Sequence, residues 1–191
     1  MNKTTLRAAV YIDRDGVINQ ERNYVHRIED FVLLPGVGES LKLLQEAGYM
    51  LVVVTNQAGI GRGLYSEVDF QALTQHMAGL LGEYGVKLDG VYFCPHHPTH
   101  GKGAYLCDCN CRKPAPGMLQ TAALELGIDV SRSAIIGDKC SDIEAGRAAG
   151  TQHAVLVESG HALTADDRDA ADVCVPDLLH AAKWLLDHAG T

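Results

Sequence analysis

Residues 8–17 read Ala8-Ala9-Val10-Tyr11-Ile12-Asp13-Arg14-Asp15-Gly16-Val17, an apolar run that ends in two carboxylates two positions apart. Such a run reads as a strand buried on both faces. A strand sends neighbouring side chains to opposite faces and alternate ones to the same face, so Asp13 and Asp15 can converge on one site. Gly16 then eases the chain out of the sheet. Two carboxylates beside an apolar core are costly unless a cation or a shared proton relieves their repulsion. The pair therefore implies a divalent metal, acid/base chemistry, or both.

Outward from this stretch, apolar runs alternate with amphipathic segments, the pattern of an α/β fold with a mostly parallel sheet. Val10–Ile12, Leu51–Val54, Val91–Phe93, Ala134–Ile136 and Ala154–Val157 read as buried strands. Helical patterns cover Gly38–Ala47, Ser66–Tyr84, Met118–Leu126, Ser141–Ala149 and Leu178–His188. The second opens with the capping pattern Ser66-Glu67-Val68-Asp69, and Pro116 sits where a first helical turn accepts proline. Ligands collect at the carboxyl ends of parallel strands. Asp13 and Asp15, then Thr55-Asn56-Gln57, then Gly137-Asp138-Lys139 all follow strand-like runs.

With 191 residues and 47% hydrophobic content the chain is long enough for one well-buried domain, and residues 1–191 are read as such. No apolar stretch approaches the roughly 20 residues of a membrane-spanning helix. Met1–Arg7 lacks the apolar segment of a secretory signal, so cytoplasmic residence without a membrane partner is expected. A net charge of −8 argues against a nucleic-acid partner, which would need basic surface. It leaves room for a small anionic substrate, because a local cluster of cations can override the global field.

Six cysteines in a chain of cytoplasmic character point to metal binding more than to disulfides. Cys94, Cys107, Cys109 and Cys111 fall in one polar loop with His96, His97 and His100. Three thiolates and an imidazole suit a closed tetrahedral Zn²⁺ site, which would hold together a loop of about residues 94–111 that has little core of its own. Three cysteines compete for two of the places, and three histidines for one. Cys140 and Cys174 stand apart and read as buried free thiols.

Asp13, Thr55, Lys113 and Asp138 with Asp142, in this order and over nearly the whole chain, resemble the four signature motifs of the haloacid-dehalogenase-like phosphohydrolases. The resemblance implies a Rossmann-like sheet with helices on both faces. It also implies that Asp13 attacks phosphorus and that Asp15 serves as acid and then base. Mg²⁺ would be held by Asp13, the Asp15 carbonyl and Asp138, with the Lys139 carbonyl beside it and Asp142 supporting from behind. The Thr55 hydroxyl and the Lys113 ammonium would bind the transferring phosphoryl group. Only a loop and one helix fit between Asp15 and Thr55, so no cap domain is expected.

Within that superfamily the chain is similar to the capless sugar-bisphosphate phosphatases of the histidinol-phosphatase-like subgroup. This second resemblance implies a zinc set of Cys94, His96, Cys109 and Cys111, because the last two match the pair that precedes Arg-Lys-Pro in relatives. It implies a small sugar bisphosphate as substrate, contacted by Glu21, Arg22, Asn23 and Tyr24 and by Thr55, Asn56, Gln57 and Ala58. Arg112 would take the distal phosphate beside Lys113. His97 would be a loop or substrate-side residue, and a monomer is expected. The rival readings are a histidinol-phosphate phosphatase, a polynucleotide 3′-phosphatase, disfavoured by the acidic charge, and a non-catalytic zinc or phosphate-binding module.

Overall fold

The structure is a computed structural model that describes residues 6–188. The expected lack of a signal segment falls largely on residues 1–5, outside the described residues. β1 (Ala9–Ile12) is buried at all four positions, which is why its sequence is apolar throughout and not alternating. The chain then runs through α1 (Val37–Glu46), β2 (Met50–Asn56), the short α2 (Ala58–Gly61), α3 (Glu67–Gly82), β3 (Gly90–Cys94) and α4 (Gly117–Leu126). It continues through β4 (Ala134–Gly137), α5 (Cys140–Ala149), β5 (His153–Val157), α6 (Ala165–Ala170), β6 (Val173–Val175) and α7 (Leu178–Asp187).

The six strands form one sheet in the order β3-β2-β1-β4-β5-β6, with every neighbouring pair parallel. The order reverses between β1 and β4, and a crevice opens at the carboxyl end of such a switch point. Alternate residues of the strands supply two cores. Val10, Ile12, Leu51, Val53 and Ile136 pack with Leu41, Leu44, Leu73, Met77, Leu81 and Leu185 of α1, α3 and α7. Tyr11, Val52, Val54, Ile135 and Leu156 pack with Met118, Leu119, Ala122 and Ile143 of α4 and α5. Among the described residues no helix is long and apolar enough to cross a membrane.

The five expected strands and five expected helices are present, with ends displaced by one or two residues. Ser66 caps α3 through a reciprocal box with Asp69, whereas Pro116 is the residue before the first turn of α4 and not within it. Three elements were not expected. α2 is four residues long, and α6 is six residues opened by a Thr164–Asp167 capping box that the sequence does display. β6 is a three-residue edge strand, too short for periodicity to mark. Cys140 and Cys174 are half-buried and not buried, because one opens a helix and the other lies on the edge strand.

Candidate active site

Asp13 follows β1, Thr55 lies near the end of β2 and Asp138 follows β4, so neighbouring strand ends deliver all three to the crevice. Lys113 arrives from the loop between β3 and α4, and Asp142 from the first turn of α5. The Lys113 ammonium is buried and donates to Asp13 Oδ1 at 2.9 Å, Asp142 Oδ1 at 2.6 Å and the Val54 carbonyl at 2.7 Å. Burial alone would disfavour the ammonium, but the two carboxylates outweigh it and push the Lys113 pKa above its ordinary value. The Asn56 amide clamps the Lys113 backbone, donating to its carbonyl at 3.0 Å and accepting from its N–H at 3.1 Å. Asp142 accepts the Lys139 N–H at 3.1 Å, which ties the start of α5 to the same group.

The buried Lys113 ammonium stands among three buried carboxylates, with the Lys139 charge acting on Asp138 and Asp142 from the crevice wall. The ligand oxygens of Asp13, Asp138 and Asp142 lie within 4.8 Å of one another. Asp138 Oδ2 pairs with His161 Nδ1 at 2.5 Å, while Oδ1 is buried without a hydrogen-bond partner among the described residues. Burial, with help from Asp13 and Asp142, raises the Asp138 pKa to about 7. An orphaned carboxylate oxygen among like charges is a donor set suited to a hard divalent cation. Gly16 (φ +87°) permits this packing, since a Cβ there would lie 2.3 Å from Asp138 Oδ2. His161 comes from the loop after β5, and no sequence pattern marks it.

Asp15 sits differently from the strand-alternation expectation. β1 ends at Ile12, so Asp13 and Asp15 belong to the turn that follows, in which Ile18 N–H donates to the Arg14 carbonyl at 2.8 Å. Both aspartates line the crevice, but the Asp15 carboxylate lies outside the three-carboxylate group. It accepts from Arg14 Nη2 at 2.8 and 2.9 Å, Asn19 Nδ2 at 3.0 Å and Gln57 Nε2 at 3.1 Å. Arg14 is buried, and its Nη2 also reaches the Val25 carbonyl at 2.9 Å. Arg14, Asn19, Tyr65, Ser141 and His161 are residues at this site that sequence reasoning left unassigned.

The crevice has a volume of about 520 Å³ and is lined by Asp13, Asp15, Glu21, Asn23, Tyr24, Thr55, Asn56, Gln57, Ala58, Arg112, Lys113, Lys139 and Asp142. Tyr65, His97, Ser141 and His161 complete the wall with Pro114. Arg22 is not on it; its Nη2 donates to Gln20 Oε1 at 2.8 Å on the exposed side of the loop. Asn23 and Tyr24 take left-handed backbone angles (φ 57° and 61°), uncommon for any residue but glycine. Glu21 braces the first by accepting the Asn23 N–H at 2.6 Å. Arg62 braces the second, donating to the Tyr24 hydroxyl with its guanidinium 5.5 Å above the ring. The Arg112 guanidinium donates from Nη1 to the His96 carbonyl at 3.3 Å, and its backbone carbonyl accepts the Ala115 N–H at 2.8 Å.

Beside Lys113, the ligand atoms of Cys94, His96, Cys109 and Cys111 lie within 4.8 Å of one another. The Sγ atoms are 3.1 to 3.5 Å apart, and His96 Nδ1 is 3.2 Å from Cys111 Sγ. A tetrahedral ion with metal–sulfur bonds of ~2.3 Å would set the sulfurs ~3.8 Å apart, so the group needs only a slight expansion to hold one. Cys107 and His100 lie outside it, and His97 Nδ1 accepts the N–H groups of Thr99 and His100. Burial and the facing Cys111 push the Cys94 thiol up, so it keeps its proton until a cation joins the group.

Comparison with known proteins agrees with this geometry. A family model described as HAD-hydrolase-like matches residues 110–181, the stretch that carries Lys113, Asp138 and Asp142. The D-glycero-beta-D-manno-heptose-1,7-bisphosphate 7-phosphatase of Haemophilus ducreyi is 49% identical over 178 residues, 93% of this chain and 97% of that protein. The enzyme of the same name from Pasteurella multocida is 45% identical over 94% of this chain and 97% of its own. The crystal structure of D,D-heptose 1,7-bisphosphate phosphatase from B. bronchiseptica, complexed with magnesium and phosphate, superposes with a TM-score of 0.80 at 30% identity. That match covers 95% of this chain and 99% of the other. On this evidence the chain belongs to the haloacid-dehalogenase-like hydrolases, in the family of the heptose-1,7-bisphosphate 7-phosphatases.

Proposed function

We propose that the protein is a Mg²⁺-dependent phosphoric monoester hydrolase that removes the 7-phosphate of D-glycero-β-D-manno-heptose 1,7-bisphosphate, releasing heptose 1-phosphate for heptose biosynthesis. The observation that carries the chemistry is the Lys113 ammonium held between Asp13 and Asp142 beside the orphaned Asp138 oxygen. The substrate follows from near-full-length relatives that bear that name.

Asp13 attacks phosphorus in line, and the sugar alkoxide leaves with a proton from Asp15. Asp15 then takes a proton from the water that cleaves the aspartyl phosphate. Lys113 and the Thr55 hydroxyl stabilise the charge on the phosphoryl oxygens. Asp13, Asp138 and the Asp15 and Lys139 carbonyls would hold Mg²⁺, which would supply charge neutralisation on the transferring phosphate. Cys94, His96, Cys109 and Cys111 would hold a structural Zn²⁺, which would fix the segment that presents Arg112 and Lys113. Glu21, Asn23, Tyr24 and Ala58 face the sugar.

Phosphate release from matched heptose bisphosphate anomers and histidinol phosphate, with and without Mg²⁺, tests this reading. A preference of about 100-fold in kcat/KM for the β anomer is expected, ~2.7 kcal/mol of discrimination. Histidinol phosphate as the better substrate would overturn the sugar assignment. Arg112→Ala should cost about 10- to 100-fold in kcat/KM with the bisphosphate and under about 3-fold with a monophosphate ester. Equal losses on both would place Arg112 away from the distal phosphate.

The raised Asp138 pKa gives the site a pH signature. Without metal this carboxyl keeps its proton up to about pH 7 in the folded chain, against an ordinary value of 3.8. Between those values the folded state binds the extra proton, so stability falls as pH rises through the window and is level above it. A cation at Asp138 displaces the proton below about pH 7 and meets a free carboxylate above it. Mg²⁺ should therefore raise the denaturant midpoint more at about pH 7.5 than at about pH 5. An equal rise at both would remove Asp138 from the cation site.

A further inference from the structure

We infer that Gln57 is a positioning residue, whose amide holds the Asp15 carboxylate and the Thr55 hydroxyl in place for reaction and does not bind the sugar. The inference rests on the reading of Asp15 as the acid and base. Gln57 is 2% exposed. Its Nε2 donates to Asp15 Oδ2 at 3.1 Å and to Thr55 Oγ1 at 2.9 Å. Its Oε1 accepts the Tyr65 hydroxyl at 2.6 Å and Arg14 Nη2 at 3.4 Å. Both N–H donors of the primary amide are therefore used, and its oxygen is engaged by the Tyr65 hydroxyl, while Arg14 Nη2, whose two N–H groups already serve Asp15 and the Val25 carbonyl, only approaches it.

The amide has only one workable orientation. Turned over, it would set its oxygen against the Asp15 carboxylate and its nitrogen against the Tyr65 and Arg14 donors. Tyr65 fixes this sense: burial pushes its phenol up, so it stays a donor, and the His26 ring stacks on it at 4.8 Å. Gly59 leaves room for the ring, since a Cβ there would lie 2.1 Å from Tyr65. Thr55 accepts from Gln57, so its own O–H proton remains available for a phosphoryl oxygen.

When the bond from Asp13 to phosphorus forms, the P–O bond breaks with its electron pair on the sugar oxygen, and the proton passes to that oxygen from the Asp15 carboxyl. A nitrophenolate leaves without that proton. Loss of an Asp15 positioner should therefore be felt mainly with the sugar phosphate.

The test compares Gln57→Met, which keeps length and burial, and Asp15→Ala on heptose bisphosphate and on 4-nitrophenyl phosphate. For Gln57→Met, kcat/KM should drop about 10- to 100-fold on the sugar phosphate and at least about tenfold less on the aryl ester. Calorimetric binding of the bisphosphate to Asp13→Asn should change less than about 3-fold on adding Gln57→Met. Gln57→Ala serves as the second variant, and circular dichroism confirms the fold of each. Equal losses on the two esters with Gln57→Met, or bisphosphate binding weakened about tenfold or more, would make Gln57 a substrate contact and overturn the inference. Asp15→Ala without leaving-group dependence would instead overturn the acid/base reading, and the inference would fall with it.

Discussion

Asp13→Asn is expected to lower kcat by at least about 10⁴-fold, roughly 5.5 kcal/mol of barrier, while the protein folds and still binds its substrate. The amide oxygen is a poor nucleophile toward phosphorus, so the covalent route closes. Folding should survive because the geometry around the group does not need the charge. Arg14 N–H donates to Asp13 Oδ1 at 2.8 Å, which an asparagine carbonyl can also accept. Lys113 keeps Asp142 and the Val54 carbonyl. Removing one of three adjacent buried carboxylates also relieves repulsion. Without Mg²⁺ the variant should therefore melt no lower than the parent chain. Residual turnover above about 1% of the parent rate would take Asp13 out of the nucleophile role.

Lys113→Met should have the largest combined effect, on stability as well as on rate. The substitution keeps volume and removes the ammonium paired directly with Asp13 and Asp142, leaving both buried without that partner. Removing one partner of a buried pair costs about 3–5 kcal/mol, because the remaining charge has neither water nor counter-ion. Denaturant unfolding at neutral pH should show a loss of that size in metal-free protein. Mg²⁺ should recover part of it, since a divalent ion at Asp13 and Asp138 offsets the same repulsion. Turnover should stay depressed by about 10³-fold even at saturating Mg²⁺, because the phosphoryl oxygens have lost their ammonium. Unchanged stability in metal-free buffer would mean that Lys113 does not compensate these carboxylates.

The sequence was most legible where one residue's neighbours in the chain are also its neighbours in space. Apolar strands such as Val10–Ile12 and the Ser66–Asp69 box report local periodicity and capping, and these elements lie within two residues of where they were read. The short pieces were not legible. β6 has three residues and α2 four, fewer than a period can register. The cysteine loop lies between: its residue types announced a metal group but left Cys107 competing, resemblance pointed to Cys109 and Cys111, and the folded loop gathers those two with Cys94 and His96.

The sequence by itself determined the alternation of strands and helices, the strand-end placement of Asp13, Thr55 and Asp138, and the supply of three thiols and an imidazole. All of these follow from residue type and spacing along the chain. The tertiary structure decided which charge answers which. It set Lys113 between Asp13 and Asp142, 29 positions apart in sequence from the latter, and brought His161 to Asp138. It also turned the Asp15 carboxylate to Arg14, Asn19 and Gln57 and left Arg22 on the exposed side of its loop. The physical reason is that burial raises the energy of every unpaired charge and polar group. Pairing is therefore settled by distances of about 3 Å across the folded crevice, which spacing along the chain does not encode.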